Sequence, residues 1–300
     1  MKKKIIGSLI AATTVLGIWY FFLKPGDYQV SFTANTFPGA INQTIKVWGK
    51  ERFLGKIVSQ KDLYTIQQQF QFGDSIVDYH WNIKRLTDST SRVKIQITDR
   101  QNSWKNRLFI PFSKTVLEKR SKKVLLNYTD YLNYHTKRFK VNVVGQDTVP
   151  PSFCAYLEVE GIQRDKAFGM MRDFPFLSGY VEEQGMVTYG VPFIEIIEWN
   201  QKNDSIRYNF CYPVKKPDSI PKHDEIKFKG FERRVAVKAV YNGNYITSDR
   251  AWYKLMDYAK KEGLQITGNP IEVFYDNPAT NGNELSWKAE IYMPLLENAK

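Results

Sequence analysis

Histidine, cysteine and the short motifs of cofactor chemistry are what this 300-residue sequence has least of. Its three histidines, His80, His135 and His223, stand far apart, none with a partner at metal-ligand spacing. There is no G-x-S-x-G, no G-x-x-x-x-G-K-S/T and no G-x-G-x-x-G after a strand, so nucleotide hydrolysis and dinucleotide chemistry have no support. No helix-turn-helix is discernible. Two cysteines, Cys154 and Cys211, form no metal motif; they read as one disulfide of an exported domain or as two buried small hydrophobes. Long runs of one charge sign are also missing. The net charge is +12, yet the only compact basic clusters are 119–123 and 137–140, which read as a solvated helix face. No cofactor, no metal and no nucleic-acid partner is therefore expected.

What is present begins with three lysines, Lys2–Lys4, and then nineteen uncharged residues from Ile5 to Leu23. That length spans a bilayer as a helix. A cleaved signal peptide also opens with a basic segment, but this run ends in bulky I-W-Y-F-F-L rather than a small-x-small site. The expectation is a single-pass anchor over residues 1–24, with a cytoplasmic N-terminus and Trp19 and Tyr20 at the membrane interface. Everything after Lys24 would then lie outside the cytoplasm, as in the periplasm of a bacterium.

The length suggests two further domains. From Tyr28 to Ala34 the pattern alternates as a strand, after which Thr36 caps a helix with Pro38 in its first turn and Ile41, Ile45 and Trp48 on one face. Three alternating runs follow: Tyr64, Ile66, Phe70 and Phe72; then Val77, Tyr79, Trp81 and Ile83; then Val93, Ile95 and Ile97. Such period-two patterning predicts an antiparallel sheet with one wet face. A long helix over about 113–138 carries Leu117, Val124 and Tyr131 at intervals of seven, with Leu125 and Leu132 beside them. This order of elements over 27–147 resembles the START or polyketide-cyclase (SRPBCC) superfamily in helix-grip form. Val141–Val149 would be a linker strand leading to Pro150 and Pro151.

The rest of the chain is a duplication. Gly185, Gly190, Pro192, Glu195 and Pro213 answer to Gly263, Gly268, Pro270, Glu272 and Pro294, at offsets drifting from 78 to 77 to 81. Upstream, Phe153–Val159 and Arg234–Val240 are β-rich and soon reach Gly161 and Gly243. A helix over about 246–261 carries Trp252, Leu255, Met256 and Ala259 on one face, with Thr247 or Ser248 as its cap. Its counterpart around Ala167–Met171 should end or kink at Pro175. Each copy reads strand, helix, strand, strand, the first over about 150–214 and the second over about 226–295.

Y-x-G-x-Y at Tyr241–Tyr245, the Trp252 helix, G-N-P-I-E-V-F at Gly268–Phe274 and W-K-A-E-I-Y-M-P at Trp287–Pro294 resemble the GyrI-like family. These are the effector-binding domains of AraC-type and multidrug-sensing regulators. The resemblance covers about 150–300 and implies an α+β fold of two repeats closing around one cleft. It also implies an acid among aromatics that receives cationic, aromatic effectors. In the last strand Trp287, Ala289, Ile291 and Met293 share one face, and Ser286, Lys288, Glu290 and Tyr292 the other. With Pro213 matched to Pro294, Glu290 answers to Asn209 and Tyr292 to Cys211. Glu290 is thus the candidate anion, with Tyr292, Trp287, Tyr241, Tyr245, Phe274 and Asn209 as wall residues; the bland alternative is a solvent-exposed Glu290. Glu195 and Glu272, recurring in both copies, suggest a structural role.

Three functions remain open. The first is a membrane-anchored protein that binds an apolar or aromatic small molecule, a cation among the options, for sensing or sequestration. The second, which the resemblance also implies, is a hydrolase of electrophilic small molecules with Glu290 as general base. The third is a protein-interaction module. On the first reading Glu290→Gln weakens a cationic ligand and leaves stability unchanged or raised.

Overall fold

The N-terminal apolar run forms α1, Lys2–Ile18, prolonged by a π-helical turn at Trp19–Leu23. Lys4–Leu23 is long and apolar enough to cross a membrane, by length and composition, and none of that window is buried in the protein. The structure, a computed structural model, describes residues 2–52, 55–278 and 282–296. The chain divides into two units, Met1–Asn133 and Tyr134–Lys300.

In the first unit the elements are β1 (Tyr28–Ala34), α2 (Pro38–Arg52), β2 (Lys56–Asp62), β3 (Thr65–Phe72), β4 (Ser75–Arg85), β5 (Ser91–Asp99), α3 (Ser103–Phe109) and all but the last turn of α4 (Val116–Thr136). The strands form one antiparallel sheet in the order β1-β5-β4-β3-β2. Alternation decides its buried face: Val93, Ile95 and Ile97 point inward with Val77, Tyr79, Trp81 and Ile83. Ile41, Ile45 and Trp48 of α2 and Leu117, Val124, Leu125, Tyr128 and Leu132 of α4 complete the core. Gln68 also lies in it, fully buried between Ile66 and Phe70. The sequence pattern did not reveal β2, a largely exposed edge strand, nor α3.

The second unit contains β6 (Phe139–Val149), β7 (Ser152–Ile162), α5 (Lys166–Glu183), β8 (Phe193–Asn200), β9 (Ser205–Pro213), β10 (Lys227–Phe231), β11 (Arg234–Gly243), α6 (Arg250–Lys261), β12 (Ile271–Phe274) and β13 (Lys288–Pro294). They build one sheet, β10-β7-β9-β8-β12-β13-β11-β6. The repeats β7-α5-β8-β9 and β11-α6-β12-β13 are related by a pseudo-two-fold at the β8–β12 pair. Two of the repeated glycines have one explanation. Gly185 and Gly263, at φ 62° and 68°, each close a helix with a Schellman pair of bonds. Met186 N–H and Leu264 N–H reach back to the Val181 and Ala259 carbonyls, and the two glycine N–H groups to Glu182 and Lys260.

Three expectations are corrected. Val141–Val149 is no free linker: β6 pairs along its length with β11, within the second compact unit. Of the two outcomes expected at Pro175 the ending does not occur, since α5 runs on to Glu183; Pro175 and Met171, whose carbonyl loses its i+4 partner there, both face solvent. α6 begins at Arg250, because Tyr245–Thr247 winds as a 3-10 turn first.

Candidate functional site

A pleated strand sends successive side chains to opposite faces, so register alone sorts this sheet's polar residues. Val273 is paired with Glu290, and Ile271 with both Tyr292 and Glu195. Glu195 is in turn paired with Asn209, and Lys238 with Tyr292. These residues share one face, which we call the open face. α5 and α6 lie on the other, where Trp252 of α6 reaches Glu272.

Glu290 is ringed by donors of its own chain. Tyr275 Oη and Tyr292 Oη donate to its Oε2 at 2.9 and 2.8 Å. Lys238 Nζ stands 3.2 Å from the same oxygen and Lys288 Nζ 2.8 Å from Oε1. Lys238 is shared with Asp147 at 3.0 Å. Burial would raise the Glu290 carboxyl, but the bonds from Lys288, Tyr292, Tyr275 and Lys238 outweigh it and bring the group down to about 2. Burial likewise pushes the Tyr292 hydroxyl up, to about 12, helped by the neighbouring carboxylate.

The other repeat builds a second cluster two strands over, across β12. Glu195 accepts from Asn209 Nδ2 at 2.8 Å, forms a close ion pair with Lys229 and lies 3.4 Å from Arg234. Lys229 Nζ also stands over the rings of Phe231 and Tyr156, at 4.4 and 5.3 Å. Between the clusters Ile271 and partly exposed Val273 of β12 form an apolar floor, flanked by Phe193 and Tyr292 and continued through Cys211 of β9 and Phe231 of β10. Four cations (Lys229, Arg234, Lys238, Lys288) thus face three carboxylates (Glu195, Glu290, Asp147).

Residues 149–296 match the family model of the GyrI-like small molecule binding domain. The second unit therefore carries a GyrI-like domain. No curated protein matches the chain. Among solved structures, the EcmrR C-terminal domain is similar at 19% identity and a TM-score of 0.43, over 53% of this chain and 99% of that one. SAV2435 bound to tetraphenylphosphonium gives 12% and 0.34, over 53% and 93%. A hydrolase encoded by lin2189 from Listeria innocua gives 12% and 0.32, over 51% and 92%.

The GyrI-like domain brings together only part of the expected site. Glu290, Tyr292 and Asn209 share the open face, and the equivalences Asn209–Glu290 and Cys211–Tyr292 agree with the register, since Phe193 pairs with Cys211 as Ile271 does with Tyr292. Tyr241 and Phe274 instead pair with Ala289, on the opposite pleat. There Tyr245 meets Phe274 at 4.8 Å and Trp287 at 5.9 Å, and its hydroxyl donates to the Lys288 carbonyl. Tyr241 Oη bonds Thr247 and the Asn244 carbonyl, holding the Y-x-G-x-Y turn. These four pack the fold and do not wall Glu290.

Glu195 and Glu272 are not equivalent either. Glu195 pairs with Ile271 and Glu272 with Ile194, so the two acids lie on opposite faces. Fully buried under the helices, Glu272 accepts from Ser248 Oγ at 2.7 Å and from Trp252 Nε1, with Lys166 Nζ 3.9 Å away. Burial pushes its carboxyl up, and Lys166, Ser248 and Trp252 only partly offset this. Beside it Gln163 bonds Asp249, which holds Arg250.

Both cysteines are free and buried, and burial pushes the Cys211 thiol up, with Cys154 adding to it. The four donors around Glu290 all come from its own chain, and the residue is 8% exposed. Cavities of about 350 and 590 Å³ open elsewhere, one beside Gly185 and Lys215–Pro221, the other between β7 and α5 at Lys166, Arg172 and Tyr208. Chemically, a carboxylate titrating at about 2 is a weak base at neutral pH, unlike the raised acid that activates water. Tyr275 was missed although parity reveals it, because Ile271, Val273 and Tyr275 continue one face. Lys238 and Lys229 have no such signal, since strand neighbours remote in sequence place them.

Proposed function

We propose that the GyrI-like domain binds a small apolar or aromatic molecule over its open face, against the floor between the Glu195 and Glu290 clusters. The observation that carries the charge preference is that both acids are already matched by tethered cations. A cationic ligand must displace a lysine whose entropy is largely spent, whereas a neutral or anionic one meets a face with cations in excess. The ligand class is therefore neutral or anionic rather than cationic. The role is sensing or sequestration at a membrane, with α1 as a single-pass anchor and the residues after Lys24 on its outer side; the apolar span and the lysines before it support this. The first unit suits a START-like helix-grip reading, supported by α4 lying across an antiparallel sheet.

The test uses two ions of one shape and opposite charge, tetraphenylborate and tetraphenylphosphonium, titrated against the full chain in lipid nanodiscs. Lys288→Ala and Lys229→Ala in the same nanodiscs cancel partitioning into lipid. Each variant should lose borate affinity and gain phosphonium affinity by roughly tenfold, the scale of one charge-assisted contact of about 1.4 kcal/mol. Variants indistinguishable from the parent for both ions would remove the open face as the site.

A further inference from the structure

The richest unexplained surface lies in the first unit, on α3 and the turn that follows. Trp104, Leu108, Phe109, Phe112 and Val116 are all exposed there, Trp104 by 60% and Phe112 by 85%. A soluble surface scatters such residues singly; here they fall within thirteen positions of sequence. No acidic residue occurs between Arg100 and Leu117, while Lys105 and Lys114 are exposed among the apolar side chains. That combination of aromatic and aliphatic groups with a basic fringe is the chemistry of a surface that lies in a membrane interface.

What points to lipid rather than another protein is the attachment of this patch to the end of the apolar span. The Phe21 ring packs on Trp104 at 4.6 Å, and Phe22 stands 6.2 Å from it. Arg107 Nη1 donates to the Phe21 and Tyr20 carbonyls at 2.8 and 3.2 Å, satisfying acceptors that the end of a helix leaves open. Tyr20 Oη donates back to the Arg107 carbonyl at 2.9 Å. Behind it, buried Asp27 accepts from Arg107 Nε at 2.9 Å and Ser103 Oγ at 2.5 Å. α3 is thus fastened to the end of the apolar span, with Leu108, Phe109 and Phe112 left exposed.

We propose that α3 and residues 110–116 form a membrane-interface foot. Trp104, Leu108, Phe109 and Phe112 insert among the headgroups and upper acyl chains of the leaflet from which the span emerges, and Lys105 and Lys114 meet anionic headgroups. This rests on the anchor reading above. The foot holds the first unit against the membrane instead of leaving it on a free tether.

The full chain is reconstituted in phosphatidylethanolamine–phosphatidylglycerol vesicles with an environment-sensitive fluorophore at Phe112→Cys, Leu108→Cys, Leu9→Cys or Ser89→Cys. Cys154 and Cys211 are fully buried, and the unsubstituted chain reports any labelling of them. Ser89, at the far end of β5 by about 26 Å of strand, is the aqueous reference. Probes at positions 112 and 108 should emit to the blue of the Ser89 probe and be quenched several-fold more by doxyl groups on the lipid. If position 9 is quenched while 108 and 112 match Ser89, the anchor stands and the foot is wrong. If 112 is blue-shifted yet unquenched, a protein surface, such as a second copy, covers it, and the proposal fails. If position 9 is itself unquenched, the anchor reading falls and the foot with it.

Discussion

Glu272 and Glu290 sit one strand apart in the same repeat, and the sheet treats them in opposite ways. Glu272 is buried beneath α6 with one ammonium group 3.9 Å away, and its carboxyl is pushed up. Glu290, on the other pleat, holds two ammonium groups and two phenols, and its carboxyl falls to about 2. Burial costs both their hydration; the number and closeness of donors decides the sign. The first acid belongs to the frame, the second to the surface that can meet a ligand.

The sharpest way to break this comparison is Glu272→Ala, which leaves Lys166 charged or forced neutral in a buried site. Denaturant unfolding of the GyrI-like domain in the full chain should show a loss of about 3–5 kcal/mol. A loss below about 1 kcal/mol would mean that the helix-side network carries no stability. Glu290→Gln comes next, with an expected loss of about 1–2 kcal/mol at neutral pH because its donors go unmatched.

Acidity separates the two acids further. Glu290 titrates lower folded than unfolded, so its contribution is complete above the ordinary 4.5 and lost as pH falls toward about 2. Glu272 titrates higher folded, so its contribution is greatest below 4.5 and declines as pH rises through its raised value. Melting temperatures across acid pH should therefore show Glu290→Gln closing on the parent as pH falls and Glu272→Gln gaining on it as pH rises. Parallel curves for the two variants would erase the distinction. The smallest effect is Tyr275→Phe, which removes one of four donors; about 0.5–1.5 kcal/mol should go, with the Glu290 titration, followed by carboxyl NMR, moving upward.

Periodicity made the duplication, the Schellman glycines and the acid at 290 legible, because each leaves a mark within a dozen residues. The sequence-based expectation for Glu290→Gln rested on a lone buried charge; Lys238 and its bridge to Asp147, which turn the expectation towards a loss of stability, come from strands remote in sequence. Matching Glu195 to Glu272 failed by one residue, and a one-residue slip in a strand exchanges faces. The family resemblance implies Tyr241, Tyr245, Phe274 and Trp287 as walls for Glu290, but strand alternation sets Trp287 on the opposite face, and Tyr241 and Phe274 pair with Ala289 there. α3 escaped notice because seven residues are too few for a helical period to declare itself.

The joint between the repeats is the narrowest place in the eight-stranded sheet: Ile271, Glu272 and Val273 are all of β12 that β8 pairs with. On the helix side it is spanned by Lys166 to Glu272 and by Gln163 to Asp249, all buried. On the open face Arg234 reaches Glu195 across it, at 3.4 Å and partly in water. A strap on one side and a loose stitch on the other make a hinge with a preferred sense. Torsion that parts the repeats on the helix side must break buried polar bonds, whereas torsion of the opposite hand strains apolar packing and the half-wet Arg234–Glu195 pair. The compliant direction is the one that spreads the floor between Glu195 and Glu290.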